Sequence, residues 1–306
     1  MGRWPCVALA AVVSLTACKS GDDDAAADRA VTTDAIATAA PASTVPLTTA
    51  STAAANNTTT TTTSITTTRT TPATSPAPTT VPVLSGLVTD ALAVREIGRS
   101  VEGRPITAVE RGTPGGIPIL VIGVIHGDED DGVAILERLA TAAVPPGIDL
   151  WLVESINPDG QAAQQRGNAA GVDLNRNFPH DWGPIDEPGD PEYAGTGPAS
   201  EPETQAVVAF AIEIRPALGL WYHQDLDRLS PGTGLEGRLK ERYSELTGVP
   251  ILRITGGTYT GVAATWQRNA LDSISFIVEL GPTLSPAEAD AHAAAVLEIS
   301  TMVVNG

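Results

Sequence analysis

Two histidines and a glutamate follow predicted buried strands, and these side chains can bind a metal ion. His126 and Glu129 come directly after the continuous apolar run 119–125, and His223 follows the run 218–222. Imidazole nitrogen and carboxylate oxygen are both zinc ligands, and three protein ligands leave a coordination position for water, as in catalytic sites. Each residue alone also fits a solvated loop or a hydrogen-bonded core histidine, so the prediction depends on all three together.

A further carboxylate and two guanidinium groups are candidates for acid–base chemistry and substrate binding. Glu279 interrupts the apolar strand predicted at 274–280, where an unpaired charge would be costly to bury. Near a metal ion it could accept a proton from water. Arg166 and Arg176 could bind a carboxylate or a developing oxyanion. Without further context, surface ion pairs also explain all three residues.

Alternating strand and helix patterns must position these side chains. Strands are predicted at 119–125, 149–156, 218–222 and 274–280. Helices are predicted at 132–143, from a Ser200–Glu203 capping box to about 214, at 234–246, and after a Ser285–Glu288 capping box. The predicted fold class is α/β, with a mixed, mainly parallel central sheet flanked by helices on both faces. Ligands bind such sheets at the carboxyl ends of the strands.

The amino-terminal segment has the features of a targeting signal. Residues 1–17 resemble a secretory signal peptide, with Arg3 as the positive charge and an apolar stretch at 7–15 that is too short to span a membrane. The segment Leu15-Thr16-Ala17-Cys18 is similar to the lipobox of bacterial lipoproteins, which makes Cys18 the predicted lipidation site. The alternative is an ordinary cleaved signal with a chance cysteine.

The rest of the chain divides into a tether and one domain. Residues 18–85 are rich in Thr, Ala, Pro and Ser and cannot bury enough apolar surface to offset the entropy of ordering. We therefore expect a lipidated Cys18, a disordered tether, and a catalytic domain over residues 86–306. The expected location is extracytoplasmic, with the lipid in a bacterial membrane. The net charge of −18 repels phosphate and argues against nucleic acid as a partner.

The order of the candidate residues resembles the zinc carboxypeptidase family. His-x-x-Glu at 126–129 comes first, followed by Arg166, Asn175-Arg176, His223 and Glu279. The likeness covers roughly residues 90–304, including flanking segments at 97–106, similar to the family's initial strand, and at 157–160, similar to a loop of the family. The resemblance implies the fold described above and hydrolysis of an amide bond by water.

The resemblance also implies a role for each residue. His126, Glu129 and His223 would bind one zinc ion per chain. Glu279 would act as the general base, and Arg166 would polarise the scissile carbonyl.

The family also suggests how substrate binds. Asn175 and Arg176 would bind a free substrate carboxylate. The family has a mobile tyrosine, and a gap-free count back from Glu279 places it near Gly257. A small deletion would bring Tyr259 into that role; otherwise the role is unfilled.

Within the family, segments 166–179 and 197–206 are similar to the murein peptide amidases, which cut between γ-D-glutamate and meso-diaminopimelate. Ala264 falls where side-chain preference is usually set and supplies no charge, and Asp225 is a candidate to bind the diaminopimelate ammonium. The prediction is zinc-dependent hydrolysis of an anionic cell-wall peptide. The alternatives are a carboxypeptidase that acts on ordinary peptides, an acyl-amino-acid deacylase, and a catalytically inactive wall-binding module.

Overall fold

The computed structural model describes residues 83–257 and 259–306, so the predicted signal, Cys18 and nearly all of the tether lie outside this part of the chain. The described residues form one mixed six-stranded sheet with the order β1-β2-β4-β3-β5-β6. Its strands are β1 Ala93–Arg99, β2 Pro105–Gly112, β3 Ile117–Val124, β4 Ile148–Ser155, β5 Leu218–Gln224 and β6 Ile274–Leu280. Strands β4, β3, β5 and β6 run parallel, while β2 is antiparallel to both β1 and β4.

Helices cover both faces of the sheet, as the sequence predicts. They are α1 Val83–Leu87, α2 Gly132–Thr141, α3 Pro158–Ala163, α4 Pro202–Ile214, α5 Gly234–Thr247, α6 Ala263–Leu271 and α7 Pro286–Val304. One core cluster includes buried residues of α2, α5 and α7, and the other includes those of α4 and α6. Along β3, Val121 belongs to the first cluster and Ile122 to the second. This alternation explains the continuous apolar runs, since successive strand side chains point to opposite faces.

Most predicted elements occur within a few residues of their predicted bounds, and β6 has the predicted bounds. The capping box before α7 is confirmed: Ser285 Oγ accepts a hydrogen bond from the Glu288 amide at 3.3 Å, and the Glu288 carboxylate accepts one from the Ser285 amide at 2.7 Å. The buried Leu84 shows that the packed region extends slightly before the predicted boundary at residue 86.

The capping box predicted before α4 is wrong. Glu201 occupies the N-cap position without a side-chain capping bond. Ser200 Oγ instead accepts a hydrogen bond from Asn177 Nδ2 at 2.9 Å, and the Glu203 carboxylate accepts one from the amide of Val101 at 2.9 Å. Partners distant in sequence therefore occupy both side chains, and the local pattern does not apply.

Two other segments differ from expectation. The segment 97–106 is a hairpin rather than one strand, because Gly103 adopts a φ of 84° in the turn between β1 and β2. The segment 157–160 begins a short helix, α3, in which the Asn157 side chain accepts a hydrogen bond from the Gly160 amide.

Helix α6 was not predicted. Among the described residues, no helix is both long enough and apolar enough to span a membrane.

The sheet places the candidate residues at one edge. His126 follows the end of β3, and β5 pairs with β3 in parallel. His223 in β5 lies directly opposite Glu279 in β6. The carboxyl ends of these three parallel strands therefore bring together side chains that are far apart along the chain.

Candidate metal centre and substrate cavity

His126, Glu129 and His223 converge on one point. One ligand atom from each lies within 4.8 Å of the others. Glu129 is shared between the two imidazoles: Oε1 lies 2.9 Å from His126 Nδ1, and Oε2 lies 3.1 Å from His223 Nδ1. The turn after β3 makes this possible, because the Glu129 amide donates a hydrogen bond to the His126 carbonyl. The two histidines are buried.

The donor chemistry of this cluster fits a zinc ion. Burial lowers the pKa of His223 to about 4, which favours the neutral imidazole that a metal requires. Burial opposes ionisation of Glu129, but its hydrogen bonds with His126 and His223 outweigh this effect and hold the pKa of its carboxyl well below its usual range. Two imidazole nitrogens and one ionised carboxylate are an accepted set of catalytic zinc ligands.

Asp173 orients the metal-binding His126 by a hydrogen bond to the far side of its ring. Asp173 was not assigned a role from the sequence. Its Oδ1 lies 2.9 Å from His126 Nε2, while its Oδ2 accepts hydrogen bonds from Arg166 at 3.0 and 2.7 Å. A carboxylate in this position fixes the tautomer of a ligating histidine and leaves Nδ1 for the metal. The requirement for such a carboxylate could have directed attention to Asp173 in the motif 171–179.

Arg166 lies beside the metal-binding atoms. Its Nη1 is 3.1 Å from Glu129 Oε1 and 3.1 Å from His126 Nδ1. The loop that carries Arg166 is held closely, because the carbonyl of Arg166 accepts hydrogen bonds from Asn157 Nδ2 and the Gly127 amide. A Cβ at Gly127 would lie 2.0 Å from the backbone of α3, so this approach requires glycine.

Glu279 lies across from His223 and is partly buried. Burial, followed by the negative charge of Glu129, raises the pKa of Glu279 to about 7. A bound divalent cation would lower that pKa, because the positive charge stabilises the carboxylate. The position suits a group that accepts and donates protons beside the metal centre.

Arg176 is buried and has an acidic partner. Its Nη2 donates a hydrogen bond to Glu192 at 2.9 Å, and its Nη1 donates one to the Asn175 carbonyl. Asn175 Nδ2 lies 3.4 Å from His223 Nε2, and Asn175 Oδ1 accepts a hydrogen bond from the Ala263 amide. Sequence reasoning missed Glu192, since nothing local marks one acid among several in the segment 186–192.

Tyr259 lies against Arg176, with the guanidinium carbon 5.3 Å from the centre of the ring. A Cβ at Gly257 would lie 2.8 Å from the Tyr259 ring. The Tyr259 ring therefore lies beside Gly257, the position that the gap-free count gives, and the role of Tyr259 stays a prediction. Ala264 is buried in α6, and Asp225 is exposed just after β5.

All the predicted site residues in the described part of the chain line one cavity of about 730 Å³. They are His126, Glu129, Arg166, Asn175, Arg176, His223, Asp225, Tyr259, Ala264 and Glu279. The same cavity contains Glu192. The structure thus joins a metal centre, a partly buried carboxylate and two guanidinium groups in a volume that accommodates a short peptide.

Comparison with known proteins agrees with this site. Residues 84–225 match the zinc carboxypeptidase family. Murein peptide amidase A of Escherichia coli (strain K12) is 30% identical over 180 residues, which are 55% of this chain and 74% of that protein. Carboxypeptidase SOL1 of Arabidopsis thaliana is 31% identical over 166 residues, 48% of this chain and 32% of that protein.

Solved structures show the same fold. The crystal structure of murein-tripeptide amidase MpaA from Escherichia coli O157 aligns with a TM-score of 0.55 and 25% identity, over 72% of this chain and 94% of that chain. Carboxypeptidase A from Helicoverpa armigera aligns with a TM-score of 0.63 and 19% identity, over 72% of this chain and 70% of that chain. The fold and the site define a zinc metallopeptidase. The chain belongs to the zinc carboxypeptidase family.

We expect His126→Ala to abolish stoichiometric zinc binding, because the substitution removes one of three protein ligands. Elemental mass spectrometry of the purified variant measures its zinc content per chain and checks this prediction. His180→Ala is a matched control, since His180 lies outside the cavity and pairs with Asp181. One zinc per chain in the His126→Ala protein would contradict the assignment of the metal centre.

Proposed function

We propose that this zinc metallopeptidase cleaves cell-wall peptides between γ-D-glutamate and meso-diaminopimelate. The observation that carries the proposal is the single cavity in which Glu279, Arg166 and Arg176 surround the three metal-binding residues. The similarity to a murein peptide amidase over 74% of its length supports the choice of substrate.

His126, Glu129 and His223 would hold the zinc ion, which when bound acts as a Lewis acid on a carbonyl or on water. Glu279 takes a proton from the attacking water and then delivers it to the nitrogen of the leaving amine. Burial raises the pKa of Glu279 and a bound cation would lower it, so with zinc present the carboxylate form that accepts the proton is favoured.

The arginines supply the remaining charges. Arg166 stabilises the oxygen of the scissile carbonyl as negative charge develops on it. Asn175 and Arg176 bind the free α-carboxylate of the substrate, which replaces Glu192 at the Arg176 guanidinium. The ring of Tyr259 lies against that guanidinium, and its hydroxyl would donate a hydrogen bond to the substrate, as the resemblance implies.

The main alternative is a carboxypeptidase that removes C-terminal residues from ordinary peptides. The likeness to carboxypeptidase SOL1 favours this reading, although that match spans only 32% of the plant protein. Both reactions use the same zinc ligands, general base and carboxylate-binding arginine. They differ in the residues that flank the cleaved bond, so substrate preference separates them.

We expect the purified protein to release diaminopimelate from L-alanyl-γ-D-glutamyl-meso-diaminopimelate with a kcat/KM at least tenfold above that for hippuryl-phenylalanine, a difference of about 1.4 kcal/mol in activation free energy. Liquid chromatography with mass spectrometry measures both products. A clear preference for the hippuryl peptide would instead support the carboxypeptidase alternative.

We expect Glu279→Gln to retain zinc and to lose at least about 100-fold in kcat, since an amide cannot accept the proton of the attacking water. Steady-state kinetics and metal content are measured on the same preparation. Glu187→Gln is the control, because Glu187 is exposed and lies outside the cavity. A Glu279→Gln protein with near-normal turnover would contradict the assignment of Glu279 as the general base.

We also propose that the protein is extracytoplasmic and is held to a bacterial membrane by a lipid on Cys18. The support is the lipobox-like segment 15–18 after a short apolar stretch. An anchored domain with a long tether would face the wall peptides that form the proposed substrate. Cys18 lies outside the described residues.

We expect Cys18→Ser to abolish incorporation of labelled fatty acid and to release the protein from the membrane fraction. Cys6→Ser is a matched control, because Cys6 lies within the predicted signal peptide and would be removed with it. Equal labelling of the wild-type and Cys18→Ser proteins would refute the anchor.

A further inference from the structure

The cavity continues beyond the metal centre to a part that contains two basic side chains. Ser275 and Phe276 line it at the start of β6, and Glu279 lines it near the end of that strand. Glu279 is four positions after Ser275 along the strand, which corresponds to about 13 Å. Lys240 and Arg268 line the same cavity. Neither cation has a role in the chemistry described above.

Lys240 is almost completely buried, with 1% of its side chain exposed. Its Nζ donates hydrogen bonds to Glu236 at 2.6 Å and to Ser230 Oγ at 3.2 Å, and it lies 5.1 Å from the centre of the Phe276 ring. An ammonium group has three donors. Across residues 83–257 and 259–306, the third donor has no hydrogen-bond acceptor.

Arg268 is held only weakly. Its Nη1 lies 3.5 Å from both Glu236 Oε1 and the Ser275 carbonyl, at the limit of a hydrogen bond. Lys240 and Arg268 therefore share a single carboxylate, that of Glu236, and one positive charge remains uncompensated at this end of the cavity. The Lys240 ammonium is buried and 41% of the Arg268 side chain is exposed, and an excess positive charge that lines the cavity attracts an anionic group of the ligand.

The position of Arg268 explains how Ala264 can lie at the usual specificity position. Both residues are on α6, four residues apart, so they share one face of the helix. Ala264 is buried and small, which leaves space in the cavity. Arg268 presents its charge from the next turn of the same face.

We propose that Lys240 and Arg268 bind a carboxylate at the end of the side chain of the residue whose amine is released. This inference rests on the proposed function, because diaminopimelate differs from lysine only by a carboxylate on the terminal side-chain carbon. The two cations thus make the enzyme selective for residues with a long acidic side chain. Arg176 binds the α-carboxylate of the same residue, so the two anionic ends contact separate cations.

The test compares kcat/KM for L-alanyl-γ-D-glutamyl-diaminopimelate with that for the corresponding lysine peptide. The wild-type protein should prefer the diaminopimelate peptide at least tenfold, as expected for a charge-assisted hydrogen bond. Arg268→Gln should lower that ratio about tenfold, mostly through the diaminopimelate peptide, and Arg268→Lys should restore part of it. Arg238→Gln on the exposed face of α5 is the control.

Lys240→Met is a second variant, and it should also reduce the ratio of kcat/KM for the diaminopimelate peptide to kcat/KM for the lysine peptide. A thermal unfolding curve shows whether this variant folds. Equal cleavage of both peptides by the wild-type protein, or an equal loss on both in Arg268→Gln, would overturn the inference and leave the proposed function intact. If zinc is bound and neither wall peptide is cleaved, the proposed function fails. The comparison of hippuryl-2-aminoadipate with hippuryl-norleucine then decides the inference, which requires a preference for the acidic peptide that Arg268→Gln abolishes.

Discussion

The site depends on one shared carboxylate, Glu129, held between two buried imidazoles. Its two oxygens contact His126 and His223, which come from distant parts of the chain. Arg166 lies 3.1 Å from one of these two oxygens. Removing such a charge from water is costly unless it is paired. The groups around it therefore have to converge, and a divalent cation completes the set because it balances the negative charge that remains.

The order of the strands meets this requirement. Strand β3 is central and carries His126 at its carboxyl end, its neighbour β5 carries His223, and β6 places Glu279 opposite His223. Parallel strands end at the same edge of a sheet, so groups nearly one hundred residues apart meet there. Behind this edge, Asp173 ties His126 to Arg166 and makes the ligand and the guanidinium one hydrogen-bonded unit.

The proposed substrate recognition uses charges placed around that edge. Arg176 is already paired with an acid, Glu192, which shows that its pocket accepts a carboxylate. Lys240 and Arg268 share Glu236 at another part of the cavity. In the proposed role these cations favour anionic ligands, because a neutral ligand would leave them with fewer partners.

The sequence alone determined the fold class and the main chemistry. Apolar runs end just before His126 and His223, and such local patterns place chemical groups at strand ends whatever the rest of the chain does. The Ser285–Glu288 cap could be predicted for the same reason, since all its partners lie within one helical turn. Only the tertiary structure decided the partners of Asp173, Glu192 and Arg268 and the failure of the Ser200 cap. Those depend on hydrogen bonds and ion pairs between distant segments, and no local period in the sequence encodes which segments meet.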